Sequence, residues 1–357
     1  MTRTTEMNNI IEERYQLCKS LYLIKKETDK RNKEKRQQGV VNLAYVNIFA
    51  RPSHIKILFG PFFRTPLYTE IATLRGHVEG VECLTIHENK LYSGSWDSTI
   101  RVWAAGTHTE TYEEISALRG HSGCVYCIAL HENKLYSGSS DNTIRIWAAG
   151  THTETYAQIA TLVGHTDIVR CFTLHKNNLY SVSRDNTIRI WFIDTHKVIA
   201  TLEGHTGWVR CLAYHENKLY SGSENGAIRI WAAGTHTETY ETIATITGHT
   251  SSVECLTLHE NKLYSGSADK TIRIWNGETL KEITTLEGHT GIVRCLTLHN
   301  NKLYSGGSDK TIRIWSTDTY AEIATLEGHT GWVNCLAINE NKLYSGSDDK
   351  TIRVWKI

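Results

Sequence analysis

The stretch VECLTIHENKLYSGSWDSTIRVW, from Val81 to Trp103, decides the fold. It parses into three β-rich runs. VECLTIH leads through a short Glu-Asn turn into KLYSGS, and a tight turn around Asp97 leads into TIRVW. A fourth run, EIATL or a close variant, precedes the next copy of the phrase. Short apolar and β-branched runs punctuated by Asn, Asp and Gly predict a four-stranded antiparallel meander. Such a meander cannot bury both faces by itself.

The phrase occurs seven times. Each copy follows a Gly-His pair, with histidines at 77, 121, 165, 205, 249, 289 and 329, spaced 44, 44, 40, 44, 40 and 40 residues apart. Each closes on a tryptophan, the first at Trp103 and the last at Trp355. Seven meanders around an axis bury every sheet between two neighbours. The chain ends two residues after Trp355, so the last copy lacks a fourth strand. LYTEIATL at 67–74 matches TYAEIATL at 319–326. The first strand is therefore expected to complete the last blade and leave no open ring.

Composition agrees with a dense β body. The 357 residues contain three prolines, all within the first 66. The formal charge of +1 hides an asymmetry: residues 1–66 carry 13 basic and 6 acidic residues, the remainder 26 and 32. A basic extension on an acidic body implies two parts with different jobs. The polar, charged start does not resemble a signal peptide, and no run of 18 apolar residues occurs. These features, with nine cysteines, point to a reduced protein of the cytoplasm, the nucleus being an alternative.

The Gly-His pair, the SGSxD turn and the closing tryptophan, repeated in register over 67–357, resemble the WD-repeat family. The resemblance implies an all-β, seven-bladed propeller closed by an N-terminal strand. One departure is consistent: the Asp that often follows the family's Trp is absent from all seven copies. The resemblance also implies a buried hydrogen-bond network per blade. In the first it would join His77, Ser93, Asp97 and Trp103, and in the second His121, Ser137, Asp141 and Trp147. Buried indole, hydroxyl and imidazole groups need such partners. A Ser-His-Asp catalytic reading makes no sense in seven copies, so no catalytic residue is expected. The fourth copy departs from the pattern with Asn225, Gly226 and Ala227.

Seven cysteines occupy one position of the first strand, and six have a His four residues on, as in Cys83 and His87. On a strand that spacing separates the side chains by roughly 13 Å. They cannot share a zinc ion, and no metal is expected. Cys124 and Cys127 form a single CxxC on a strand. The SGS glycines precede no helix and match no phosphate-loop pattern. No cofactor and no small-molecule substrate are therefore expected. The acidic body disfavours nucleic acid.

Loops on a rigid scaffold carry binding. Three positions per copy should face outward on the side of the Asp turn: the third and fifth residues after the histidine, and the residue before the turn Asp. These positions vary while the framework hardly changes. They hold Trp96 in the first copy and Tyr126 in the second. The third copy gives Ile168, Arg170 and Arg184, and the fourth Trp208 and Arg210. Arg294 and Trp332 follow in the sixth and seventh. Arginines among aromatics suit an acidic or phosphorylated protein segment. The alternative is that these arginines pair with Glu82, Glu224, Glu254 and Asp348 around the same ring.

Residues 1–66 form a basic extension. Glu6 to Arg36 reads as helix, with Ile11, Tyr15, Cys18 and Tyr22 in one stripe. An apolar, proline-marked stretch without Asp or Glu follows. Packing on the body, a partner, anionic lipid and poor order are all compatible with it. KLYSGSxDKTIRIW resembles the propellers of F-box proteins, RING-type ubiquitin ligases and myosin heavy chain kinases. That implies recognition of protein partners, as a scaffold or adaptor or as the substrate-recognition subunit of a ubiquitin ligase complex. No F-box, RING or kinase motif accompanies it in residues 1–66.

Overall fold

The computed structural model describes residues 68–105, 112–149, 156–233 and 240–357. The expected helix at 6–36 and the apolar stretch after it lie outside the described residues. Within them are 28 strands in seven four-stranded antiparallel sheets. Blade one consists of Val81–His87, Lys90–Ser95, Ile100–Ala104 and Glu114–Leu118, counted from the inside out. Blades two to six repeat this order. The innermost strands contact one another in sequence order, and Val81–His87 meets Val333–Asn339 to close the ring. The seven-bladed propeller expected from the repeats is the observed fold.

Closure follows the expected route. Thr69–Arg75 pairs antiparallel with Thr351–Lys356, with Leu74 opposite Ile352 and Arg75 opposite Thr351. The strand thus forms the outer edge of blade seven. It joins the beginning of the ring to its end, so the ring has no open end.

No blade has a core of its own. Trp147 of blade two packs among Tyr92, Ile100 and Val102 of blade one. Trp103 of blade one packs in the same way among Tyr344, Ile352 and Val354 of blade seven. Burying each such side chain contributes about 2 kcal/mol, and all of it depends on a neighbour. The second strand of each blade lies between two sheets, so KLYSGS is buried after its lysine. Its glycine is a packing requirement. A Cβ at Gly94 would lie 2.5 Å from the Cys83 sulfur and 2.7 Å from Val125 of blade two. Blade three has Val182 at that position. There the Cys171 thiol faces the Phe172 carbonyl at 3.9 Å, whereas Cys83 and Cys211 reach a valine carbonyl of the next blade. Among the described residues no helix is long and apolar enough to cross a membrane.

Candidate functional site

The turn holding the face in place is fixed from beneath. In blade one the Trp103 indole donates to Ser93 Oγ at 2.8 Å, and Ser93 meets His77 Nε2 at 2.7 Å. His77 Nδ1 lies 2.8 Å from Asp97 Oδ2, which also accepts from the Val78 backbone. The carboxylate fixes the proton on Nδ1, so Nε2 accepts from the serine hydroxyl. Blade two repeats this with His121, Ser137, Asp141 and Trp147, at 2.7 to 2.8 Å. Burial alone would raise the Asp97 carboxyl. Hydrogen bonds from His77 and Thr99 outweigh it and hold the group far below its usual range. The same balance brings Asp269 of blade five down to about 2.

Blade four keeps only half of this clamp. Trp231, Ser221 and His205 Nε2 remain linked, at 2.8 and 2.6 Å. Asn225 turns to Thr206 Oγ1 instead, at 2.9 Å. Among the described residues His205 Nδ1 is buried without a partner. Burial first, and then the Arg229 guanidinium, push its imidazole down to about 4.

Above the clamps lies the variable face. Every innermost strand carries a bulge at the fifth residue after the histidine: Glu82, Tyr126, Arg170, Arg210, Glu254, Arg294 and Asn334. A bulge re-aims its side chain, here at the mouth of the channel. The other two positions are tied by one backbone bond in every blade. Arg184 N–H donates to the Ile168 carbonyl at 3.1 Å, and Glu224 N–H to that of Trp208 at 2.9 Å. The three predicted positions of each blade are therefore neighbours.

Blades two to four bring the expected arginines and aromatics together. The Arg170 guanidinium lies 4.4 Å from the centre of the Tyr126 ring. Trp208 is flanked by Arg184 at 4.2 Å and Arg210 at 5.4 Å. Across the face, Arg294 lies 4.6 Å from the Trp332 ring. Two of the four arginines are closed by carboxylates from other blades. Arg170 meets Glu82 of blade one at 2.9 Å, and Arg210 meets Glu254 of blade five at 3.4 Å. Burial opposes the charge on both. At Arg170 the Glu82 and Glu254 carboxylates outweigh it. At Arg210 burial prevails over Glu254, and repulsion from Arg170 and Arg184 adds to it. The guanidinium of Arg184 makes no hydrogen bond or ion pair among the described residues, and its Nε is buried unpaired.

Two expectations need correction. The fifth position does not always face outward: Glu82 and Asn334 are buried, as is Ser252 at a third position. Nor is the arc one of three open arginines, because internal pairing has closed Arg170 and Arg210. Trp96 and Trp332 are exposed at 39% and 40%, while Tyr126, Ile168 and Trp208 are half-buried. The Trp96 indole donates to Glu82 at 3.1 Å, so Glu82 joins blades one and three across the mouth. Asn334 was expected as the outward fifth position of the seventh copy, and it serves the ring instead. Its amide donates to the Val81 carbonyl of blade one and to Asp348, closing the seam between the last and first blades. Among the described residues, no group of three or more His, Cys, Asp or Glu could hold a metal ion.

Comparison with known proteins agrees with the repeats. No curated protein matches the chain. A crystal structure of the computationally designed Ika8 protein is 26% identical with a TM-score of 0.65, covering 81% of this chain and 99% of that one. A crystal structure of the WD40 β-propeller domain of Doa1 is 23% identical with a TM-score of 0.71, covering 81% and 96%. At that identity the second likeness speaks for the fold alone. The model of the WD domain, G-beta repeat, matches seven times, at 68–104, 112–148, 156–191, 196–232, 240–276, 280–316 and 321–356. With one match per blade, this chain belongs to the WD domain, G-beta repeat family.

Proposed function

We propose that this protein is an interaction scaffold or adaptor whose Asp-turn face binds acidic or phosphorylated protein segments at blades two to four. Propellers of this family generally mediate protein–protein interaction and are typically not enzymes. One observation carries the finer reading. Arg184 is stacked on Trp208, makes no ion pair or hydrogen bond among the described residues, and its charge is felt at Arg210. A stacked guanidinium offers its free N–H edge to two oxygens of one carboxylate or phosphate. Desolvated cation–aromatic contacts of this kind contribute about 1 to 2 kcal/mol.

Fluorescence anisotropy with labelled phosphoserine and polyglutamate peptides tests this. Arg184→Glu should weaken binding at least about tenfold, the equivalent of 1.4 kcal/mol, and added salt should weaken the wild type in parallel. Wild-type affinity in that variant would remove Arg184 from the site. Reversing Arg170 is a poorer test, because it also breaks the pair with Glu82. The likeness of KLYSGSxDKTIRIW to ligase-attached propellers supports a narrower version, recognition of substrates within a ubiquitin ligase complex. Eight free thiols among the described residues suit action in the reducing cytoplasm or nucleus.

A further inference from the structure

The outermost strands repeat a device that blade three leaves incomplete. In blade five, Glu282 stands opposite Trp275, and Thr285 opposite Arg273. The Arg273 guanidinium donates to Glu282 Oε2 at 2.5 Å, and the Thr285 hydroxyl donates to Oε1 at 2.6 Å. Burial would raise this carboxyl, but the two donors outweigh it and hold the group below its usual range. Blade six repeats the arrangement with Arg313, Thr325 and Glu322, and blade seven with Arg353, Thr73 and Glu70. Arginine and threonine thus form a two-point carboxylate receptor on the rim of the ring.

Blade three keeps the receptor without the acid. Arg189 stands opposite Thr201, and Val198 takes the place of the glutamate opposite Trp191. The Arg189 guanidinium makes no hydrogen bond or ion pair among the described residues, and its Nε is buried unpaired. Thr201 is exposed, whereas Thr73, Thr285 and Thr325 beneath their carboxylates are half-buried. Glu203, two residues on, does not close the receptor. Glu287 and Glu327 hold the same place in blades five and six, and there the arginines take Glu282 and Glu322 instead. The surroundings of Arg189 are apolar. A Cβ at Gly164 would lie 3.3 Å from its guanidinium, and Val163 beside that glycine is 74% exposed. Val198 itself is 36% exposed. Blade four also keeps Arg229 and Thr245, but Thr242 replaces Val198 there and Glu203 replaces Val163, so the apolar lip is lost.

We propose that Arg189 and Thr201 receive a carboxylate from another protein, an aspartate or glutamate side chain flanked by apolar residues and inserted at the rim between blades two and three. The chain itself shows which chemistry fits, because it fills the same receptor with its own glutamate in blades five, six and seven. Val163 and Val198 beside the guanidinium call for the apolar flanks. The receptor lies on the outermost strands, away from the channel mouth, so it is a site separate from the Asp-turn face.

Fluorescence anisotropy on the full chain tests this with a dye-labelled Gly/Ser peptide carrying one Val-Glu-Val, and with its Val-Gln-Val and Ser-Glu-Ser counterparts. Wild type and Arg184→Glu are titrated in parallel, so that any contribution of the Asp-turn face is seen. Val-Glu-Val should bind both proteins at least about tenfold tighter than either counterpart. Val198→Glu supplies the acid from within, as Glu282 does in blade five, and should weaken binding at least about tenfold. Arg189→Ala should weaken it as far, and Thr201→Ala, which leaves one of the two donors, should weaken it less. Unchanged or raised melting temperatures confirm that the variants fold. Equal affinity for the glutamine peptide overturns the receptor, as does affinity unaltered by Val198→Glu or the absence of binding to both proteins. Binding lost in Arg184→Glu places the contact on the Asp-turn face and overturns the rim site alone. A dimer of the peptide-free chain that Val198→Glu dissolves, read by light scattering, makes a second copy the occupant and overturns the separate partner.

Discussion

Blades one and four are built from nearly the same phrase, yet only one is braced at every point. In blade one, His77 is held at both ring nitrogens and Arg101 pairs with Glu114 on the outer strand. In blade four, His205 is held at one nitrogen, and Thr242 faces Trp231 where Glu114 faces Trp103. Among the described residues Arg229 therefore finds no carboxylate, and it lies against the Trp231 ring at 5.9 Å. Blade three shares the second defect, with Val198 opposite Trp191. The least braced blades thus carry Arg170, Arg184, Trp208 and Arg210. The framework and the face are separable. A blade can lose part of its clamp and still present its face, because the Trp–Ser–His core of the clamp and the packing of both neighbours remain.

The comparison can be broken first at the serine. Ser93 accepts from Trp103 and meets His77, and Ser221 does the same for Trp231 and His205. Alanine at either site leaves two buried polar groups unsatisfied. A loss of about 3 kcal/mol is expected in each, read from urea midpoints. A large loss in blade one alone would mean that blade four does not depend on the shared part of the clamp. The Asp position should then separate the two blades. Asp97→Asn imposes the blade-four arrangement on blade one and should cost about 2 kcal/mol, because a charge-assisted bond is lost. The reciprocal Asn225→Asp should gain about 1 kcal/mol, and more when Ala227→Thr supplies the hydroxyl that Thr99 gives Asp97. A gain in the single variant as large as the loss at Asp97 would show that the neighbouring Gly226 and Ala227 are immaterial.

The framework was legible because it is written seven times. A period near 40 residues and the match of 67–74 to 319–326 suffice for blade count and closure. Face positions were legible as positions, since variation confined to three places marks them. Their pairing was not. Arg170 and Glu82 are 88 residues apart in sequence, and they meet because blades one and three share one channel mouth. The bulge that aims both of them is a departure from strand alternation that no residue type announces. Blade four's missing Asp was legible as a defect. Its consequence, an unpartnered nitrogen rather than a rearranged turn, depended on which way Asn225 turned.

The smallest expected effect lies in the pH dependence of that nitrogen. The folded-state pKa of His205 is lowered to about 4, from an ordinary value near 6.5. A group so lowered binds its proton less readily folded than unfolded. Its neutral form is tolerated at pH 7, and stability falls as the pH drops below about 6.5, until the folded value is reached. Between pH 7 and 5.5 the loss should be about 1 kcal/mol. The Asp clamps act in a different window. Asp269, lowered to about 2, contributes stability above its ordinary value of 3.8 that disappears only as the pH falls from there toward 2. Denaturant melts at pH 7 and 5.5 therefore isolate blade four from the aspartates. Asn225→Asp places a carboxylate against His205 Nδ1, which favours the protonated ring, and it should flatten the slope in that interval. An unaltered slope in the variant would assign the pH dependence to His249 and His175, whose imidazoles burial also lowers, and leave blade four distinguished by geometry alone.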